Sequence, residues 1–519
     1  MAPIMAHSTG LLFRAAVAIL LMVLFFSLAL TASAGLVYGA YELGTFTLEH
    51  ARGRGLVLLL LVAGAMGFGG LVILWSIVPR IDRFTPPGPE LTAKEQPVLF
   101  QEIHRIAEMT GQEPPTHVYL VPDVNAFVTE RGGWMGIGSQ RVMGLGLGLV
   151  NILGVSELRA VIAHEFGHFH GGDTKLGPWI YKTRGAIIRT VQNLYAAGEA
   201  SEEVGTVAFV LKAVGKPFEW FAKGYLRITQ AISRAQEYSA DGVAVRTQGA
   251  AALVEGLKKT HRGGLAFSAF VENELGPLLE NKRHAPLGEG FRRFLGAPSV
   301  AERLGQLEKE ELSEGKQDPY DTHPPLRERI RHAESLDAPW VAQDVRPAVE
   351  LLADVPQLEA KLYSEWTQGA TLTPIEWAES ASVFVSDWQA ALLDAQRGLA
   401  HGTTPLTLPT ETPALRELAA KVTGQDTAHV PEDILQQWAT ELYMRVLSAV
   451  LVDHGFTPSN NPGEAIAFTR GELRLEPASL VRSYLRGELG REAWSASWQE
   501  AGLADAPLTP EDVQQRRSG

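Results

Sequence analysis

Two apolar runs near the N-terminus constrain this chain more than anything else in it. No residue in 15–41 carries a charge, and none in 56–78 does either. Each run exceeds the roughly 20 apolar residues that carry a helix across a bilayer. Tyr38, Tyr41 and Trp75 stand near the ends, where interfacial aromatics belong. The first run has a rival reading as a signal peptide, because Arg14 precedes it and Ala32-Ser33-Ala34 resembles a cleavage site. The run continues past that site and a second one follows closely, which favours a retained span. The rival for the second run is a buried core helix, and its full charge-free length argues against that. Arg14 precedes the pair, Arg80 and Arg83 follow it, and Arg52 and Arg54 share the short loop with Glu42 and Glu49. The slight excess of outer positive charge predicts that the portion beyond the second span is cytoplasmic. The expected setting is the cell membrane, with more than one pass and the lipid bilayer as a partner.

The remaining chain is long enough for further domains: 519 residues suit roughly three. The net charge of -13 leaves no basic footprint, so no nucleic-acid partner is expected. The absence of cysteine excludes disulfides and thiolate metal ligands. It fits a reducing compartment.

The chemistry begins at His164-Glu165-Phe166-Gly167-His168. Residues four apart share a helix face, so His164 and His168 are spaced to grip one zinc ion. Glu165 then sits beside the metal and not on it, as a general base would. Ser156 is the expected N-cap, Glu157 suits a helix N-terminus, and Leu158, Val161, Ile162 and Phe166 supply a buried stripe. A catalytic zinc uses three protein ligands, so one is missing. Glu237 is the candidate. Asp241 follows it by four residues and can hydrogen-bond a ligating imidazole. A Glu with an Asp four residues on is usually a solvated helix face, but here it follows the first two ligands and precedes apolar Val243 and Val245.

Other stretches organise around this one. Pro86-Pro87-Gly88-Pro89 marks the end of the membrane portion. Residues 98–109 read as helix; 117–121 and 142–147 read as strands of a small sheet leading into the zinc helix. Such a sheet is either plain scaffold or an edge that accepts an extended peptide. Segments 179–197 and 204–232 are apolar and aromatic yet carry Lys182, Arg184, Arg189, Lys212, Lys216, Lys223 and Arg227. Continuous spans tolerate that charge poorly. Amphipathic helices lying on the membrane surface, or ordinary packing helices, are the expectation.

The sequence resembles the HtpX-like membrane zinc metallopeptidases, which also include the CAAX prenyl protease. The likeness rests on the 164–168 motif, Glu237-Tyr238-Ser239-Ala240-Asp241, Asn125-Ala126-Phe127, and Thr322-His323-Pro324-Pro325 with Arg329-Ile330. It covers roughly the first two-thirds of the chain. It implies a gluzincin fold in which Glu237 is the third zinc ligand and Asp241 buttresses a ligand histidine. It also implies that His323 stabilises the oxyanion with Arg329 nearby, and that substrate lies along Asn125, Ala126 and Phe127. Without the resemblance, Thr322-His323-Pro324 would read only as a capped helix start. Bacterial members carry two further spans after the zinc helix, where this chain is heavily charged. A prenyl-protein protease is disfavoured, since that branch surrounds its site with many spans.

The expected architecture is therefore mainly α with a small β-sheet (α+β). Two transmembrane helices occupy 1–85, a gluzincin-type zinc metallopeptidase domain 86–335, and a mostly helical C-terminal domain 336–519. In that last portion 351–366, 383–399 and 434–452 read as helices, 402–413 as a linker, and 465–468 with 473–475 as a hairpin. It shows no chemistry. The expected function is a membrane-anchored endopeptidase with one Zn2+ per chain, acting on polypeptides, chiefly misfolded or damaged membrane proteins. Two other readings stay open: a tethered scaffold with a structural zinc, and a zinc hydrolase of non-peptide bonds.

Overall fold

The computed structural model describes residues 8–78, 84–133, 138–169, 177–314, 324–395 and 397–508. It is mainly helical with three small sheets, the expected class. The chain divides into two compact units: Met1–Arg262 with Leu307–Ala353, and Gly263–Gln306 with Asp354–Gly519. The expected boundary at 335/336 differs from this division in both directions.

In the first unit, α1 (Ser8–His50) and α2 (Gly53–Ile77) form an antiparallel pair. Their described parts are long and apolar enough to cross a membrane. Leu20, Leu28, Leu58, Leu71 and Trp75 are exposed, which a soluble core helix would not allow. Ser33 Oγ donates to the Gly70 carbonyl at 2.7 Å, so Ala32-Ser33-Ala34 lies mid-helix inside the α1–α2 contact. Gly70 must lack a side chain, because a Cβ there would come within 2.9 Å of the Ser33 carbonyl.

The sheet follows. Its strands are β1 (Glu90–Leu91), β2 (His117–Val121), β3 (Ala126–Arg131) and β4 (Gln140–Gly146), with α3 (Pro97–Thr110) between β1 and β2. The order is β1-β2-β4-β3, with β2 and β4 parallel and β3 antiparallel to β4 at one edge. After α4 (Leu147–Ile152) comes α5 (Val155–Gly167). Its N-cap is Gly154, not Ser156 as expected: the Glu157 carboxylate accepts from the Gly154 N–H at 2.7 Å. Ser156 serves a strap instead, its Oγ accepting from the Asp344 N–H at 2.7 Å. Val155 N–H donates to Arg346 O, Ser156 N–H to Asp344 O and Ala348 N–H to Leu153 O. Segment 344–348 is thereby stapled to the start of α5, which is why 336–353 belongs with this unit.

Helices α6 (Gly177–Glu199) and α7 (Gly205–Gln248) choose between the two readings left open for their region, in favour of packing helices. They do not lie apart as surface helices but pack lengthwise on α1 and α2. Phe25, Ile73 and Ile77 share one buried cluster with Ala186, Ile187, Leu194, Phe218 and Tyr225. Asn193 Nδ2 donates to Ser76 Oγ at 2.9 Å. The charges stay outside this contact: Glu219 pairs with Lys216 at 3.0 Å and Lys223 at 2.7 Å. Helix α8 (Ala250–Phe270) begins in this unit and ends in the second, which also takes α9 (Gly276–Glu280), α10 (Leu287–Gly296) and the first half of α11 (Pro298–Glu314); α12 (Leu326–Ser335) belongs to the first.

The second unit gathers α13 (Val355–Trp366), α14 (Val385–Ala395), α15 (Thr412–Thr423), α16 (Glu432–Asp453), α17 (Pro477–Leu485) and α18 (Arg491–Glu500). Small sheets add β5 (Arg283–His284) to β6 (Thr373–Pro374), and β7 (Thr457–Ser459) to β8 (Ala467–Arg470) and β9 (Leu473–Leu475). Segment 263–306 belongs here because Phe270 and Phe291 pack with Trp377, and Glu359 accepts from the Leu287 and Gly288 N–H groups at the start of α10. The core surrounds α16, with Tyr443, Trp388, Phe468, Trp494 and Trp498. The expected linker 402–413 is a packed loop. Pro405 and Leu408 are buried, and the Pro405 and Pro409 carbonyls accept from Trp494 Nε1 and the Tyr443 hydroxyl.

Candidate metal and catalytic site

The site forms where α5 crosses α7. Gly167 rests on Ala240, and a Cβ at Gly167 would stand 2.7 Å from the Ala240 Cα. Two small residues therefore let the backbones approach, and the polar residues on either side meet. His164 projects from α5 and His168 from its C-cap, Glu237 and Asp241 from α7. His164 Nε2 lies 3.5 Å from Glu237 Oε2, and His168 Nε2 lies 3.8 Å from Glu237 Oε1. One donor atom from each of His164, His168 and Glu237 falls within 4.8 Å of the others. Two imidazoles and a carboxylate suit zinc by donor chemistry, and three protein ligands leave a fourth position for water or substrate. His164 and Glu237 are buried while His168 is half-buried, so the cluster has one open side.

Asp241 and Arg329 sit behind it. Asp241 is fully buried and accepts a hydrogen bond from the His164 Nδ1–H at 2.9 Å, which leaves Nε2 facing Glu237. Arg329 on α12 forks onto Asp241, with Nε 3.0 Å from Oδ2, and its Nη1 lies 3.6 Å from Glu237 Oε2. Burial alone would raise the Asp241 pKa, but hydrogen bonds from His164 and Arg329 hold it below the usual range. The Arg329 pKa moves up: burial opposes the charge, and Asp241 outweighs it. For His164, burial and Arg329 push the pKa down, but the Asp241 and Glu237 carboxylates prevail and lift it to about 9 in the metal-free protein. Two further contacts fix α12 on α7: the Tyr238 hydroxyl donates to Glu328 at 3.0 Å, and His332 Nε2 lies 3.2 Å from the Tyr238 carbonyl.

Glu165, the residue after His164, is half-buried. Burial raises its pKa, His164 lowers it and Glu237 raises it, for a result of about 7. Its carboxylate accepts a hydrogen bond from the backbone N–H of Val128 in β3. The edge strand thus abuts the Glu165 carboxylate. Asn125 is exposed just before β3, and its carbonyl accepts from the Gly146 N–H at 2.8 Å. Ala126 is buried, and the Phe127 ring covers Gly144 so closely that a Cβ there would stand 2.2 Å from it.

Of the residues expected from sequence, His164, Glu165, His168, Glu237, Asp241 and Arg329 converge, and Asn125, Ala126 and Phe127 lead into the strand beside Glu165. His323 lies outside the described residues. Sequence reasoning missed Val128, Ala240, Tyr238, Glu328 and His332. Only the quoted motifs containing Tyr238 and Ala240 carried a signal for any of them.

A profile of peptidase family M48 matches residues 93–337. A "Protease HtpX homolog" of Ralstonia nicotianae is 30% identical over 264 residues, covering 49% of this chain and 86% of that relative. The chain is an HtpX-like member of peptidase family M48. A "Protease HtpX homolog" of Gemmatimonas aurantiaca is 26% identical over 263 residues, covering 49% of this M48 member and 89% of the relative. "Protease HtpX" of Vibrio atlanticus is 26% identical over 214 residues, covering 39% and 71%. No solved structure matches this M48 member significantly. Membership makes the chain a protease, and its two exposed apolar helices fit a membrane protease.

Proposed function

We propose that the chain is a membrane-anchored, zinc-dependent endopeptidase that acts on membrane proteins in quality control, with its catalytic portion in the cytoplasm and the C-terminal unit in an accessory role. The observation that carries this is the convergence of His164, His168 and Glu237 beside a half-buried Glu165 that touches an edge strand. His164, His168 and Glu237 would hold one zinc ion, which when bound supplies Lewis-acid polarisation of the scissile carbonyl and a nucleophilic water at neutral pH. Glu165 takes the proton of the attacking water and delivers it to the leaving amine. Its pKa near 7 suits both transfers. Asp241 holds the His164 tautomer, and Arg329 holds Asp241 in its ionised form; both are positioning residues. That reassigns Arg329, expected near the oxyanion, to a place behind the ligands. His323 remains the proposed oxyanion stabiliser on the family resemblance. An extended substrate adds to β3, with Asn125, Ala126 and Phe127 at the start of the docking edge.

The test is proteolysis of an unfolded membrane protein by the purified full chain with zinc, against Glu165→Gln. Cleavage by the parent chain alone supports the reading. Equal cleavage by both, or none by the zinc-loaded parent, overturns it.

A further inference from the structure

The residues that follow α12 close a triangle whose apex is the candidate site. Helices α5 and α7 meet at Gly167 and Ala240, among the clustered histidines and carboxylates. From that contact α5 runs back eleven residues to Ser156, and α7 runs on eight residues to Gln248. At 1.5 Å per residue these arms are about 17 and about 12 Å long. Two successive residues of one segment join their far ends. Gln343 Nε2 donates to the Gln248 carbonyl at 3.4 Å, and the Asp344 N–H donates to Ser156 Oγ at 2.7 Å. Val341 and Gln343 pack over Gly249, where a Cβ would stand 3.8 Å from each. On the α5 side, the Ser156 N–H donates to Asp344 O at 3.0 Å, the Val155 N–H to Arg346 O at 2.8 Å, and the Ala348 N–H to Leu153 O at 2.9 Å. The segment ends at Ala353, whose N–H and carbonyl both bind the buried Gln96 side chain, at 2.7 and 3.0 Å. Residues 341–353 lie beyond position 337, where the M48 match stops.

A closed triangle fixes the angle at its apex. His164 lies three residues from Gly167, about 4.5 Å along α5, while the strap holds that helix about 17 Å from the same point. A displacement of about 1 Å at the strap therefore moves His164 by about 0.25 Å. Metal–ligand distances tolerate about 0.2 Å, so slack of this order at the strap is already felt at the ligands. We propose that segment 341–353 is a brace that sets the angle between α5 and α7, and so keeps the His164–His168 pair in register with Glu237 for zinc. This rests on the zinc reading of the site. It adds Ser156, Asp344 and Ala348 as positioning residues, which act through α5 and do not themselves hold the metal. Glu157 with Lys259, and Arg159 with Glu102, tie the same turns of α5 to α8 and α3. Helix α5 therefore stays seated when one strap bond is lost, and the effect falls on its angle.

The test removes strap bonds from the full chain in detergent micelles and reads zinc affinity by chelator competition. Ala348→Pro deletes one donor. Ala348 opens a short 3₁₀ turn after Pro347, whose ψ of 132° already suits a following proline. Ser156→Ala deletes the acceptor for the Asp344 N–H and is the milder change, which serves if the first variant fails to fold. Each should weaken zinc affinity by about fivefold, the worth of one such hydrogen bond. Linkage requires the converse, and that measurement needs no variant. Zinc should slow hydrogen exchange at the Val155, Ser156, Asp344 and Ala348 amides by a similar factor. A strap that only stabilises the fold opens locally at the same rate with and without zinc. Affinity within about twofold of the parent in every variant that folds, or strap amides that do not respond to zinc, overturns the inference. A parent chain that binds no zinc overturns the zinc reading and takes this inference with it.

Discussion

The two units bury charge in opposite ways. In the first, His164, Glu237, Asp241 and Arg329 are buried against one another, and each shifts the ionisation of its neighbours. In the second, buried carboxylates are occupied by backbone. Glu359 takes the Leu287 and Gly288 N–H groups, and Glu274 takes the Gly463 N–H and the Asn460 amide. Burial raises the pKa of both, and no buried cation faces them among the described residues. A carboxylate consumed by N–H groups organises a fold. One that faces imidazoles and a guanidinium keeps lone pairs and protons available for chemistry. Candidate chemistry therefore belongs to the first unit and structural charge burial to the second, and substitutions in each should behave differently.

The largest expected effect is Glu165→Gln, which should cost about 10²–10⁴ in proteolytic rate. Metal analysis should find zinc content unchanged, since Glu165 is not among the three clustered donors. A pH profile comes next. Glu165 works ionised, so activity should fall about tenfold per unit as pH drops below its pKa. That value is about 7 without metal, and a bound cation lowers it, so the acid limb belongs at or below about 7. Asp241→Asn should weaken zinc affinity by about 10–100-fold, measured by chelator competition, because the amide no longer holds the His164 Nδ1 proton with a full charge. Gly167→Ala should destabilise the first unit by about 1–3 kcal/mol in thermal unfolding, and lose zinc in parallel, as Ala240 is forced away. The smallest effect belongs to the second unit: Glu359→Gln should cost about 1 kcal/mol of stability and leave turnover unchanged. Lost turnover with an intact fold would show that the second unit shares in the chemistry.

The ligands were legible in the sequence because helix periodicity fixes which side chains share a face. His164 with His168 needed only that rule, while Glu237 with Asp241 also needed their place downstream of the first pair and the family resemblance. The crossing that joins the two pairs was not legible, since Gly167 and Ala240 act through their lack of bulk. The strap at 344–348 was invisible for a related reason: it binds α5 chiefly through backbone groups, which every sequence has. Ser156 looked like a cap by residue type, yet its hydroxyl holds Asp344. Charge left the reading of α6 and α7 open between surface helices and packing helices. Lys216, Glu219 and Lys223 neutralise one another outside the contact with α1 and α2, while Phe218 and Tyr225 of the same turns face inward. The apolar length of α1 and α2 and the α16 helix were plain. The division of 263–306 from the first unit was not, because it depends on Trp377 and Glu359 far along the chain.

The fork from Arg329 onto Asp241 spans 88 residues of sequence. A ribosome therefore releases the whole ligand set well before the guanidinium that balances its buried carboxylates. Until α12 emerges, Asp241 has only His164 as a cationic neighbour, and α12 cannot be clamped by Tyr238. The strap at 344–348 arrives later still. The buried charges of the candidate site are thus balanced only late in synthesis, when α12 has followed α7 out of the ribosome.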